Sequence, residues 1–314
     1  RVDVAVKERL VSDVPLGLFL SGGIDSSVIA ESAARQSSSK LNAFTIGFDD
    51  PSHDERPAAR EVAKALGIDL HEETLKPKEA LNMLDEAVRV LDEPLADPAI
   101  LPQLLLARFT RKHVTVALTG DGGDELLLGY QHIPAHQWTN RLPRFPRALS
   151  HALNFIPAGG GYFSPGFKAQ RLARGLSESN PWARDMAWRG SWMSSELDSL
   201  LLPDIRAAVD PQFADKQFAN RASEMQDAAF WKKWSWGYLR TYLMDDVLVK
   251  VDRATMWFSL EARSPLLDPR VVSYLLSVSD DLKLGSWKKK RLLKELVKGR
   301  IPDEVLNRPK HGFA

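Results

Sequence analysis

The chain contains no cysteine. That absence excludes disulfides, thiolate zinc sites, cysteine-held iron–sulfur clusters and a thiol nucleophile within these residues. No apolar run approaches the roughly 18 residues that a membrane-crossing helix needs, and no signal-peptide pattern opens the chain. Neither sign of charge dominates. The 42 Lys+Arg face 41 Asp+Glu, which argues against a general nucleic-acid binder and against an acidic tail. Internal repeats and low-complexity tracts are also missing. What remains is globular material. With 314 residues, 44% of them hydrophobic, the chain can bury a sizeable core in one large or two ordinary domains.

Periodicity divides the chain. Residues 14–20 form a short apolar run that ends at Ser21-Gly22-Gly23, which predicts a buried strand and a tight turn. A helix is expected over 26–35 and a second strand over 41–47. A helix over 56–66 has Pro57 in its first turn and Gly67 as its stop. A third strand (68–75), helices over 77–91 and 101–112, and a fourth strand (114–119) follow. Strands alternating with helices predict an α/β fold with a doubly wound parallel sheet. Past Tyr130 the pattern changes. Residues 141–181 are rich in Pro, Gly and Ser, and 182–300 read as helices. The expected division is therefore 1–140 for the α/β part and 141–314 for a mainly helical part. The aromatic group Trp231, Trp234, Trp236 and Tyr238 reads as packing between helices rather than a platform for stacking bases.

The stretch Leu20-Ser21-Gly22-Gly23-Ile24-Asp25-Ser26-Ser27 carries the chemistry. A strand running into two glycines and then a helix lets the backbone approach an anion closely. The helix adds its N-terminal N–H groups and the positive end of its dipole. Ser21, Ser26 and Ser27 supply hydroxyls. Asp25 would repel phosphate unless a cation lies between them, which suggests Mg²⁺. Ser-Gly-Gly alone would fit an ordinary turn with a serine cap; the added Asp-Ser-Ser shifts the balance towards phosphate. There is no Gly-Lys-Ser/Thr and no Gly-x-Gly-x-x-Gly, so neither a Walker A loop nor a dinucleotide fingerprint is present.

These residues resemble the PP-loop of the ATP pyrophosphatases, which cleave ATP between the α and β phosphates. Within that superfamily the chain resembles the synthetase domain of the glutamine-dependent asparagine synthetases, over nearly its whole length. Thr119-Gly120-Asp121-Gly122-Gly123-Asp124-Glu125 with Gly129-Tyr130 is similar to the family's second loop. Asp245 to Arg253 with Leu260 to Asp268 is similar to its third block. Lys290 to Lys294, Ile301-Pro302 and Asn307 to Phe313 are similar to its C-terminal block.

The resemblance implies ATP and Mg²⁺ as cofactors. It places Leu20, Ile46 and Gly120 around adenosine, Ser21 to Ser27 around pyrophosphate, and Thr119 and Asp121 in the same nucleotide site. Asp25 and Asp124 would be the metal carboxylates. Glu125 and Tyr130 would serve the amide-forming step, and Lys290 and Arg253 would supply cations, although relatives commonly have Lys at the position of Arg253. Lys288 and Lys289 read as a solvated basic face. Independently of the resemblance, a doubly wound sheet binds ligand at the carboxyl ends of its strands, so the first and fourth strands can bring both glycine loops to one nucleotide.

The implied reaction is ATP-dependent amidation of a small carboxylate, aspartate first, with ammonia from a glutaminase domain. The chain begins at Arg1 within a helical pattern over 2–11 and holds no cysteine. We therefore expect a fragment of a longer protein that cannot use glutamine alone. No nucleic acid and no membrane partner are expected, cytoplasmic placement follows from the need for ATP, and a homodimer stays open. Two other readings remain: a related enzyme acting on another carboxylate, such as a β-lactam synthetase, and a PP-loop enzyme acting on RNA, against which balanced charge and the lack of cysteine both weigh.

Overall fold

The computed structural model describes residues 1–139, 150, 153, 155–157, 164–190, 192–210, 212–284 and 289–307. Five strands form one sheet: β1 (Leu16–Phe19), β2 (Asn42–Phe48), β3 (Asp69–Leu75), β4 (Val116–Leu118) and β5 (Glu261–Arg263). Their order is β3-β2-β1-β4-β5, and every pairing is parallel. β2 and β4 are buried along their interiors, so both read as continuous apolar runs rather than alternating ones. The expected α/β fold with a parallel sheet is present.

Helices cover the faces. The helix Arg56–Leu66 starts with proline and ends on Gly67 at φ +68°, and it buries the stripe Ala58, Ala59, Val62 and Ala63. The expected single helix over 77–91 is two helices, Pro77–Asn82 and Leu84–Leu91. They meet at Met83, which is buried in one core cluster with Ile46, Leu75, Leu91 and Leu104. A second cluster gathers Phe44, Ala107, Val114, Ala117 and Leu260.

The chain forms two compact units. The first is residues 1–129 together with 242–314, and the second is 130–241. This differs from the expected division at 140. The cause is β5, which pairs with β4 at Val116↔Glu261 and Leu118↔Arg263 and ties residues 242–314 to the sheet. The helix Leu248–Trp257 then packs on Ile100–Arg111, and Arg291–Val297 packs on Ile24–Gln36. A three-residue strand has no period to read, so residues 182–300 looked wholly helical. That span also contains a π-helical stretch, Leu239–Val247.

Among its described residues the second unit is helical. Trp234 and Tyr238 are fully buried. The rings of Trp182, Phe218 and Phe230 lie 4.7, 5.4 and 5.8 Å from that of Trp234. Trp236 lies nearer the surface, and its indole donates to Glu224 at 2.9 Å. Trp234 and Tyr238 are thus core packing, as expected, with Trp236 at the edge. Most of the Pro/Gly/Ser-rich stretch up to 163 lies outside the described residues, but Pro165–Leu176 is a helix whose Ser164 cap accepts from the Phe167 N–H. Lys288 and the stretch Arg308 to Phe313 are likewise outside them.

Candidate active site

The chain runs β1 to β2 to β3 in one direction and then returns to place β4 on the other side of β1. This reversal opens a crevice at the carboxyl ends of β1 and β4, where such sheets bind ligands. Both glycine loops leave the sheet there.

The first loop is shaped by glycine. Gly22 adopts φ +73°, and a Cβ on it would stand 2.7 Å from the Ala58 backbone. Gly23 is the extended N-cap of the helix Ile24–Gln36. Serine hydroxyls pin the turn: Ser21 Oγ accepts from Gly23 N–H at 3.2 Å, and Ser26 Oγ donates to the Gly23 carbonyl at 3.1 Å. The two hydroxyls are 3.1 Å apart. Ser27 is fully buried, and its hydroxyl finds no partner among the described residues.

The second loop presses on the first through its own glycines. A Cβ on Gly120 would lie 2.8 Å from the Ser26 nitrogen, and one on Gly123 would lie 2.4 Å from Asp25 Oδ1. Only hydrogen fits between these loops. Thr119 Oγ1 donates to Asp121 Oδ2 at 2.7 Å and lies 2.8 Å from Ser264 Oγ. Burial pushes the Asp121 carboxyl up from its ordinary value, against the pull of Thr119.

Lys290 joins the loops. It is buried, with a left-handed backbone at φ +52° that lysine rarely adopts. Its ammonium bonds Asp25 Oδ2 and lies 2.7 Å from Asp124 Oδ1. Two carboxylates around one ammonium leave a net negative charge. That oxygen-only donor set fits a hard divalent cation, so Asp25 and Asp124 would hold Mg²⁺.

The other expected residues lie as follows. Leu20 follows the last residue of β1 and Ile46 lies two residues before the end of β2, both with side chains in the core, so a ligand would meet their backbone. Glu125 is buried on the short helix Gly123–Leu127. Arg253 is half-exposed, and its guanidinium pairs with Asp92 rather than with either loop. Tyr130 belongs to the second unit, stacked on His132 at 5.7 Å.

Sequence reasoning assigned nothing to Ser264, which braces Thr119, or to Lys250. Lys250 is buried, bonds Asp97 and lies close enough to draw down Asp121. Both lie within the third matched block, Asp245 to Arg253 with Leu260 to Asp268, which was the signal for each.

The family described as asparagine synthase matches residues 1–314. Asparagine synthetase [glutamine-hydrolyzing] 1 of Bacillus subtilis (strain 168) is 34% identical over 310 residues, 98% of this chain and 48% of its own length. A putative asparagine synthetase [glutamine-hydrolyzing] of Mycobacterium tuberculosis H37Rv is 31% identical over 98% of this chain and 46% of its own. The amidase chry2 of Gibberella zeae is 27% identical over 98% of this chain and 50% of its own. The chain thus spans about half the length of these curated relatives. A solved NMN synthetase from Francisella tularensis aligns over 76% of this chain and 90% of its own at 13% identity and a TM-score of 0.33, too low to bear on the fold.

Proposed function

Because this chain belongs to the asparagine synthase family, we propose that it carries the AMP-forming part of an amide ligase, converting a carboxylate, aspartate, into its amide at the expense of ATP. One observation carries the reading. Two glycine loops meet at the β1/β4 switch point, and Lys290 stands between Asp25 and Asp124.

The chemistry follows from the residues. The Ser21–Ser27 turn and the helix behind it hold the departing pyrophosphate with backbone N–H groups and hydroxyls. The backbone of Leu20, Ile46 and Gly120 receives adenosine, with Thr119 and Asp121 beside it. The substrate carboxylate attacks the α-phosphorus, the bond to pyrophosphate breaks, and an acyl-adenylate forms. Lys290 supplies fixed positive charge to the phosphoryl oxygens as negative charge spreads over them. Mg²⁺ held by Asp25 and Asp124 would add further neutralising charge. Ammonia then attacks the acyl carbon and AMP leaves. Buried Glu125 takes the proton shed by the nitrogen. For Tyr130 the role rests on the matched motif alone, and Arg253 would have to leave Asp92 to act on ATP.

The names of the relatives include glutamine hydrolysis. These residues hold no thiol, so ammonia from glutamine would be made by a part of the protein outside them. Work of this kind belongs in the cytoplasm, where ATP is made available. A second reading keeps the mechanism and changes the acid: a relative of equal coverage is named an amidase.

The test is ATP–pyrophosphate exchange across a panel of carboxylic acids, with products identified. Exchange with aspartate, and AMP plus pyrophosphate in turnover, are expected. Exchange only with another acid moves the substrate. ADP plus orthophosphate would remove the proposal altogether.

A further inference from the structure

The second unit encloses a polar cluster that the nucleotide chemistry does not use. His132 immediately precedes the helix Ile133–Thr139, and His136 lies four residues on, so both imidazoles share one side. Asp185 comes from the helix Pro181–Arg189 and Tyr238 from Phe230–Tyr238. Asp185 Oδ1 is the common centre. His132 Nε2 is 2.9 Å away, His136 Nε2 3.1 Å and the Tyr238 hydroxyl 2.6 Å. His132 Nε2 is also 2.8 Å from that hydroxyl. His136, Asp185 and Tyr238 are fully buried, while His132 reaches the edge with 14% of its side chain exposed.

We propose that His132, His136 and Asp185 form a binding site for one zinc-class divalent cation, with the Tyr238 hydroxyl at the fourth position. The ligand atoms of the two histidines and the aspartate lie within 4.8 Å of one another. Donors about 2.0–2.1 Å from a tetrahedral zinc stand about 3.3 Å apart, so Asp185 Oδ1 would draw back from the two histidines by a few tenths of an ångström and from the Tyr238 hydroxyl by about 0.7 Å. Two imidazole nitrogens select a first-row transition metal over Mg²⁺ or Ca²⁺.

The surroundings suit a structural metal. Arg189 Nε donates to Asp185 Oδ2 at 2.9 Å, which fixes the carboxylate with Oδ1 facing the histidines, as outer partners of metal ligands do. The Trp188 and Trp234 rings each stand 4.5 Å from His136 and wall out water. His136 Nδ1 is buried with no hydrogen-bond partner among the described residues. A metal on Nε2 would put the imidazole proton on Nδ1, where no described residue accepts it, so the ion must outweigh one buried unpaired donor. With three protein ligands and a hydroxyl enclosing it, the ion has no open position for substrate. It would brace three helices rather than catalyse.

The experiment uses cobalt(II) as a visible probe on chelator-stripped protein. Expected are the intense bands of a tetrahedral site, saturating at one equivalent and displaced by zinc, and a rise in melting temperature with either metal. His132→Gln removes a ligand at the edge of the cluster and should weaken cobalt binding at least tenfold, and Asp185→Asn should do the same if it folds. Stripped wild-type protein that gives no bands and retains no zinc has a hydrogen-bonded network only, which overturns the site. Undiminished cobalt binding by His132→Gln overturns it too. ATP–pyrophosphate exchange by the same samples reports separately on the nucleotide site.

Discussion

The ammonium of Lys290 lies 2.7 Å from Asp124 Oδ1 while also bonding Asp25, so one C-terminal residue closes both glycine loops. Asp25 and Asp124 retain only 17% and 14% of side-chain exposure, so their charges are poorly screened by solvent. Replacing Lys290 with Gln should cut ATP–pyrophosphate exchange by about 100-fold or more. The melting temperature should also fall, and added Mg²⁺ should restore more of it than it adds to the parent. Lys290→Arg should keep part of the activity, because the charge survives but the point contact does not. Full exchange activity in Lys290→Gln would remove Lys290 from the machinery.

The glycine contacts predict a second outcome. A methyl group at Gly123 would meet Asp25 Oδ1, and one at Gly120 would meet the Ser26 nitrogen. The Ser26 nitrogen cannot yield without moving the start of the helix Ile24–Gln36, and Asp25 can give only by turning its carboxylate away from Lys290. Gly123→Ala and Gly120→Ala should therefore lose ATP affinity by tenfold or more while circular dichroism stays close to that of the parent. Gly67→Ala is the control for backbone strain, since a Cβ there meets nothing but takes φ +68°. It should cost about 1 kcal/mol of stability and leave ATP affinity alone.

Glu125 separates the two half-reactions. It is buried beside the loop that Asp124 anchors. Glu125→Gln should leave ATP–pyrophosphate exchange within a few-fold of the parent, yet lower amide formation from free ammonium by about 100-fold, the usual scale for a lost general base. Equal loss of both would assign Glu125 to nucleotide binding instead.

Asp268 sets an acid limit on stability. Arg270 hydrogen-bonds it most strongly, and Arg9 also bonds it at 2.9 Å, so its carboxyl is held far below the ordinary value of 3.8. A carboxyl depressed in the folded state adds stability above its unfolded pKa, and that stability drains away as pH falls below about 4. Urea midpoints should therefore drop between pH 5 and pH 3. Asp268→Asn should begin about 1–2 kcal/mol less stable at pH 7, having lost a charged cap, and show a shallower acid decline. An unchanged slope would place the acid response elsewhere.

Much of the first unit was legible because its signals are local. An apolar run, two glycines and a hydroxyl-rich helix start announce β1 and the loop without any partner. Pro57 and Gly67 marked their helix from both ends. The expected 77–91 helix breaks at Met83, which is also buried in the Ile46 cluster, and no local pattern records either. His132 and His136 stand four residues apart, and what they do depends on Asp185, 49 residues beyond His136.

The sequence by itself determined the alternation of strands and helices, the two glycine loops and the identity of every charged group they carry, because periodicity and backbone freedom are properties of neighbouring residues. Only the tertiary structure decided that β4 lies beside β1, that β5 returns residues 242–314 to the sheet, and that Lys290 stands between Asp25 and Asp124. Those are contacts between residues far apart in the chain, chosen by which buried faces and opposite charges can be satisfied together, and no window of sequence contains both partners.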